Sequence, residues 1–101
     1  MELQRRLSSL AAELAEVSEL TSDGQVEYRR GDAVFAAVPT PSAVELRVGA
    51  EIADAARRTP DTIPSSRGEE WVHFAPAEWD KHAADRLEAW FQVAWRTARN
   101  R

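Results

Sequence analysis

Two histidines, a pair of adjacent serines, four tryptophans and a set of arginines near the C-terminus are the residues of this 101-residue chain suited to chemistry. His82 lies four positions after Glu78 and three before Asp85, so on a helix the three would share a face. A zinc site needs at least three tightly held ligands, and the other imidazole, His73, would have to reach it from a separate strand. That spacing matches no recognised ligand signature, so neither a metal nor a cofactor is expected. Ser65 or Ser66 with His73 and an aspartate would supply the parts of a hydrolase. The chain has neither a nucleophile elbow nor a glycine-rich oxyanion loop, and turn chemistry accounts for the serines. A small enzyme with His73 or His82 as general base is therefore the third-ranked reading. With no cysteine, thiolate metal sites and cysteine nucleophiles are excluded, and no glycine motif could cradle a phosphate.

The tryptophans say more. If Val72 and Phe74 point into a core, Trp71 and His73 lie on the opposite face of their strand, near the loop Thr59–Gly68. Pro60 and Pro64 stiffen that loop, and Asp61, Thr62, Ser65 and Ser66 can bond their own backbone. An aromatic ring beside a guanidinium, a carboxylate and two hydroxyls has the make-up of a ligand pocket or a partner contact. The expected recognition surface is Arg58, Asp61, Ser65, Ser66, Arg67, Trp71 and His73. It would hold a protein partner or a small ligand, with Trp71 as apolar anchor and no reaction catalysed. This leading reading requires an exposed Trp71.

The formal charge is −4, which argues against a dedicated binder of phosphate backbones. After Glu88, however, every charged residue is an arginine. Cations suit the end of a helix through its macrodipole, and this accounts for the bias without a ligand. The runner-up function is nucleic-acid binding through Arg96, Arg99 and Arg101, with Arg29 and Arg30 from a hairpin. The chain starts with charged residues inside a polar pattern rather than a signal peptide, and its longest apolar stretch, Ala33 to Pro39, cannot span a bilayer. A cytoplasmic protein without membrane contact is expected.

The length and an apolar fraction of 44% predict one domain over residues 1–101. Leu3, Leu7, Leu10, Leu14 and Val17 repeat at steps of four and three, which predicts an amphipathic helix ending near Leu20 at the turn Thr21–Gly24. Gln25–Arg30 alternates as a strand, Gly31-Asp32 reverses the chain, and Ala33–Val38 reads as a central strand. Arg30-Gly31-Asp32 is therefore a turn and not an adhesion motif. Ala43–Val48 alternates, with Val44, Leu46 and Val48 inward and Glu45 and Arg47 toward water. A short helix over Gly49–Arg58, a strand over Glu69–Ala75 and a final helix from about Ala77 to Ala98 complete the order. The class is α+β, α-β-β-β-α-β-α, with a mainly antiparallel sheet covered by the terminal helices. The leucine face leaves monomer and homodimer both open.

With these elements placed, the chain resembles the YjbR/MmcQ family. The likeness rests on the first hairpin, Tyr28 to Ala36, on Val44–Val48 as third strand, on Glu70–Phe74 as a tryptophan-bearing strand, and on the helix Leu87–Ala98. The resemblance implies a sandwich of the CyaY-like kind. Members of the family are commonly described as DNA-binding or left without an activity, so it implies little about chemistry. Where the family often carries a lysine after the hairpin glycine and another in the third strand, this chain has Asp32 and Arg47.

Overall fold

The computed structural model describes residues 2–99, the side chain of Glu2 excepted. The chain runs α1 (Glu2–Ala12), β1 (Val17–Ser22), β2 (Gln25–Arg30), β3 (Ala33–Thr40), β4 (Ala43–Arg47), α2 (Ala50–Ala56), β5 (Thr62–Pro64), β6 (Trp71–Phe74) and α3 (Lys81–Ala98). The strands form a single six-stranded sheet in the order β1-β2-β3-β4-β6-β5, and every neighbouring pair is antiparallel. The α+β class is as expected, and two strands join the order read from the sequence.

The first helix is shorter than its leucine spacing predicts. It ends at Ala12, and its last turn tightens as the N–H groups of Glu13 and Leu14 donate to Leu10 and Ala11. Glu16 then takes a left-handed φ of 66° and the chain turns into β1. Val17 to Ser22, expected to finish the helix or turn away from it, instead pairs with β2 from Val17↔Arg30 to Ser22↔Gln25. Asp23 and Gly24, both at positive φ, make the two-residue turn between them. Tertiary contacts hold the departure in place: the Trp95 indole donates to the Ala15 carbonyl at 2.9 Å, and Arg30 pairs with Glu16 at 3.2 Å. The final helix also starts later than expected. Asp80 caps it, its carboxylate accepting from the Ala83 N–H at 2.9 Å. Glu78 therefore precedes the helix, and the expected shared face of Glu78, His82 and Asp85 does not form.

Register divides the sheet into two faces. Tyr28, Ala36, Leu46 and Val72 stand opposite one another across four strands, and all four are buried. Leu3, Leu7 and Leu10 of α1, Ala53 and Ala56 of α2, and Leu87, Phe91, Ala94 and Ala98 of α3 complete one core with them. Its centre is aromatic: Phe91 meets Tyr28 at 5.6 Å and Phe35 at 5.2 Å between centroids, both edge-on. The Tyr28 hydroxyl has no hydrogen-bond partner among the described residues. Burial, with the Glu19 carboxylate adding to it, pushes the phenol up to about 12 against the lowering influence of Ser8. Among the described residues no helix is long and apolar enough to cross a membrane.

Candidate functional site

The neighbouring register row lies on the other face of the sheet. It runs Leu20, Glu27, Ala37, Glu45, His73, Ile63 from one edge strand to the other. Alternation sends Glu45 away from the core, as expected, but not into water: it is only 5% exposed. The cause is the segment between β5 and β6, which folds back over the sheet. Ser65 donates to one Glu45 oxygen at 2.6 Å, and Arg67 Nε donates to the other at 3.3 Å. The same guanidinium reaches on across β3 to β2, where Nη2 lies 3.4 Å from both Gln25 Oε1 and Glu27 Oε2. Ala37, beneath this span, is fully buried.

A short loop can reach so far because its backbone is tightly wound. Ser65 Oγ accepts from the Arg67 N–H at 3.1 Å, and the Gly68 N–H donates to the Ser65 carbonyl. Gly68 sits at a φ of 137°, a region that strains any side chain, and its carbonyl accepts from the Trp71 N–H. The other end of the loop is pinned from α3. Arg86 donates to Thr59 Oγ1 at 2.7 Å and to the Pro60 carbonyl at 2.8 Å, with its guanidinium over the rings of Phe74 and Trp90. Between the two pins, Thr62 to Pro64 forms the short strand β5, which the loop reading did not include. Pro64 offers no N–H, and the strand's brevity leaves little edge open to further pairing.

His73 completes the polar floor. Its Nδ1 stands 3.3 Å from Glu45 Oε2. The tautomer protonated at Nδ1 donates a third hydrogen bond to the carboxylate and keeps Nε2 as an acceptor. Ser65 directs its hydroxyl proton to Glu45 rather than to an imidazole, so Ser65 and His73 do not form a nucleophile–base pair. Among the described residues no group of three or more His, Asp or Glu side chains could hold a metal ion.

Above this floor lies a groove of about 460 Å³ lined by Gln25, Pro39, Ile63, Pro64, Ser66 and His73, with Glu45 and Arg67 at its base. Its apolar component is Ile63, 56% exposed and the most exposed of the large aliphatic side chains in the described residues. The structure thus brings together four of the seven residues expected to form a surface: Ser65, Ser66, Arg67 and His73. Trp71 is not the expected exposed anchor. It is 7% exposed, covered by Arg67, whose guanidinium lies 5.1 Å from the ring, and by Gly68. Arg58 stays apart and pairs with Asp54 at 3.1 Å. Asp61 lies at the start of β5 with a left-handed φ of 68°, and its carbonyl accepts from the Ala75 N–H. Sequence reasoning missed Gln25, Glu27, Glu45 and Ile63. Of these only Ile63 carried a local signal, as one aliphatic residue between polar and proline neighbours.

No family model, curated protein or solved structure matches the chain.

Proposed function

We propose that this chain is a non-enzymatic binding module that takes an extended segment of a partner protein in the groove over Glu45 and His73. The observation that carries this reading is the state of the floor. Two carboxylates, Glu27 and Glu45, are matched by two guanidiniums, Arg29 and Arg67, and Ser65 fills a further acceptor site. These four charged groups and Ser65 are engaged with one another, which leaves none of them available for acid–base or nucleophilic chemistry. What faces outward is an aliphatic side chain, two prolines, an imidazole, a hydroxyl and an amide. That mixture suits a peptide, which offers apolar side chains and amide groups in alternation. The fixed loop supports the reading too, since little ordering is left for binding to impose.

Because the floor charges cancel, peptide binding should depend weakly on ionic strength, in contrast to the steep salt dependence of phosphate-backbone binding. The direct test is selection of peptides from a random display library on the folded protein. Selected peptides should lose about tenfold or more in affinity for Ile63→Asp, the effect of a charge in an apolar contact. Peptides that bind Ile63→Asp as tightly as the parent protein would remove the groove from the account.

A further inference from the structure

A second cavity, lined in part by Trp71 and sharing no residue with the groove, is chemically different. It measures about 620 Å³ and is walled by Arg30, Arg47 and Arg99 together with Trp71, Val34 and Ala98. The residues come from two strands of the hairpin region, from β4, from β6 and from the end of α3. We infer that this cleft binds a small organic anion, a carboxylate carried on a flat or apolar body.

The three arginines are in different states. Arg30 is structural: it donates to the Trp95 carbonyl at 3.0 Å and to Glu16 at 3.2 Å, and it stacks 3.9 Å from the Trp95 ring centroid. Arg47 uses only Nε, on Glu70 at 3.2 Å, so its two terminal nitrogens have no partner among the described residues. Arg99 has no ion-pair partner among the described residues and lies exposed beyond the last turn of α3. The macrodipole accounts for a cation at a helix end, but Arg47 belongs to a strand and owes nothing to it. Two guanidiniums with free donor edges form a fork for a carboxylate, and the small exposed part of the Trp71 indole beside them offers an apolar contact for the body that carries it. Val34 and Ala98 extend the apolar wall, and the volume lies in the range of small-molecule sites, roughly 300–1,000 Å³.

Two carboxylates share the lining. Glu16 is tied to Arg30, so its charge is offset within the wall. Asp32, in the exposed hairpin turn, has no ion-pair partner among the described residues and opposes an anion at the mouth. With Arg47 itself paired to Glu70, the charges around the cleft nearly balance, and its preference for an anion rests on the free donor edges of Arg47 and Arg99.

The test uses naphthoate as probe, its neutral analogue naphthamide as control, and amide and indole chemical-shift mapping of the whole chain as readout. Naphthoate should shift the Trp71 indole N–H and the amides of Gly31, Val34 and Ala98 saturably, and naphthamide should bind about tenfold more weakly, as loss of a charge-assisted contact implies. Arg47→Gln should weaken naphthoate about tenfold and Asp32→Asn should tighten it a few-fold. Arg99→Gln, at an exposed helix end, gives the same reading should Arg47→Gln disturb the fold. Equal affinity for acid and amide, shifts confined to other surfaces, or no saturable shift with naphthoate would overturn the inference. So would tighter binding of a short oligothymidylate through Arg96 and Arg99 that left the cleft amides unmoved.

Discussion

Replacing Arg67 with methionine tests whether the floor of the groove is one locked unit. Methionine keeps an unbranched apolar stem over Trp71 and removes the guanidinium, with its contacts to Glu45, Glu27 and Gln25. Glu45, only 7% exposed in its side chain, and Glu27 then face each other across Ala37 with no cation between them. Breaking a buried pair on one side costs about 3–5 kcal/mol. The Arg67 side chain is 26% exposed, and water screens part of the effect, so a loss of roughly 2–4 kcal/mol is expected. A domain of this length has about 5–15 kcal/mol of stability, so the variant should remain folded in water. With a urea slope of about 1–2 kcal/mol/M, the unfolding midpoint should fall by roughly 2 M. Urea titration followed by tryptophan fluorescence gives that number. Glu45→Gln alone should cost less, and Arg67→Met with Glu45→Gln should cost at least about 1 kcal/mol less than the sum of the two. If Arg67→Met shifted stability by under about 0.5 kcal/mol, or the two changes were additive, the reasoning about a shared lock would be refuted.

Tyr28 is the only tyrosine, so phenolate absorbance reports it directly. Its ionisation should centre at about 12 in the folded state against 10.0 for a free phenol. Because the folded pKa is raised, the stabilisation is fully present below pH 10 and is lost as pH rises toward 12, by roughly 2–3 kcal/mol. Tyr28→Phe should abolish that dependence and raise stability by up to about 1 kcal/mol, since the hydroxyl has no partner to lose. Asp80→Ala should remove the cap of α3 and lower stability by about 1 kcal/mol, measurable as a small drop in the thermal midpoint.

Several parts of the fold were legible because the signal was local. Gly31-Asp32 turns β2 into β3 as read, and the apolar run Ala33–Val38 lies in the buried centre of the sheet. Of the stripe Ala83, Leu87, Trp90, Ala94 and Ala98, all but the half-buried Trp90 lie on the buried face of α3. β1 was hidden because Leu14, Val17 and Leu20 continue the spacing of the helix before them, while Glu13 to Glu16 are good helix formers by propensity. Asp23-Gly24 is a strong hairpin signal and lay in plain view, but it was read as a helix ending. What decides the matter is remote: β2 needs an edge partner, and Trp95 and Arg30 hold Ala15 and Glu16 in place. Glu45 failed for the same kind of reason. Its alternation was read correctly, yet a loop some twenty residues later folds over it, and Arg67 joins strands that no spacing rule connects. The arginine cleft gathers side chains from Arg30 to Arg99, so it could not be seen before the sheet was assembled.

The most direct test of the binding reading is chemical-shift mapping with a peptide selected on the folded protein. The account predicts saturable shifts concentrated at Gln25, Ile63, Ser66 and His73, with little change when salt is raised. Shifts concentrated on the outer surfaces of α1 and α3, or affinity that collapses with salt, would contradict it and leave the groove over Glu45 without a partner.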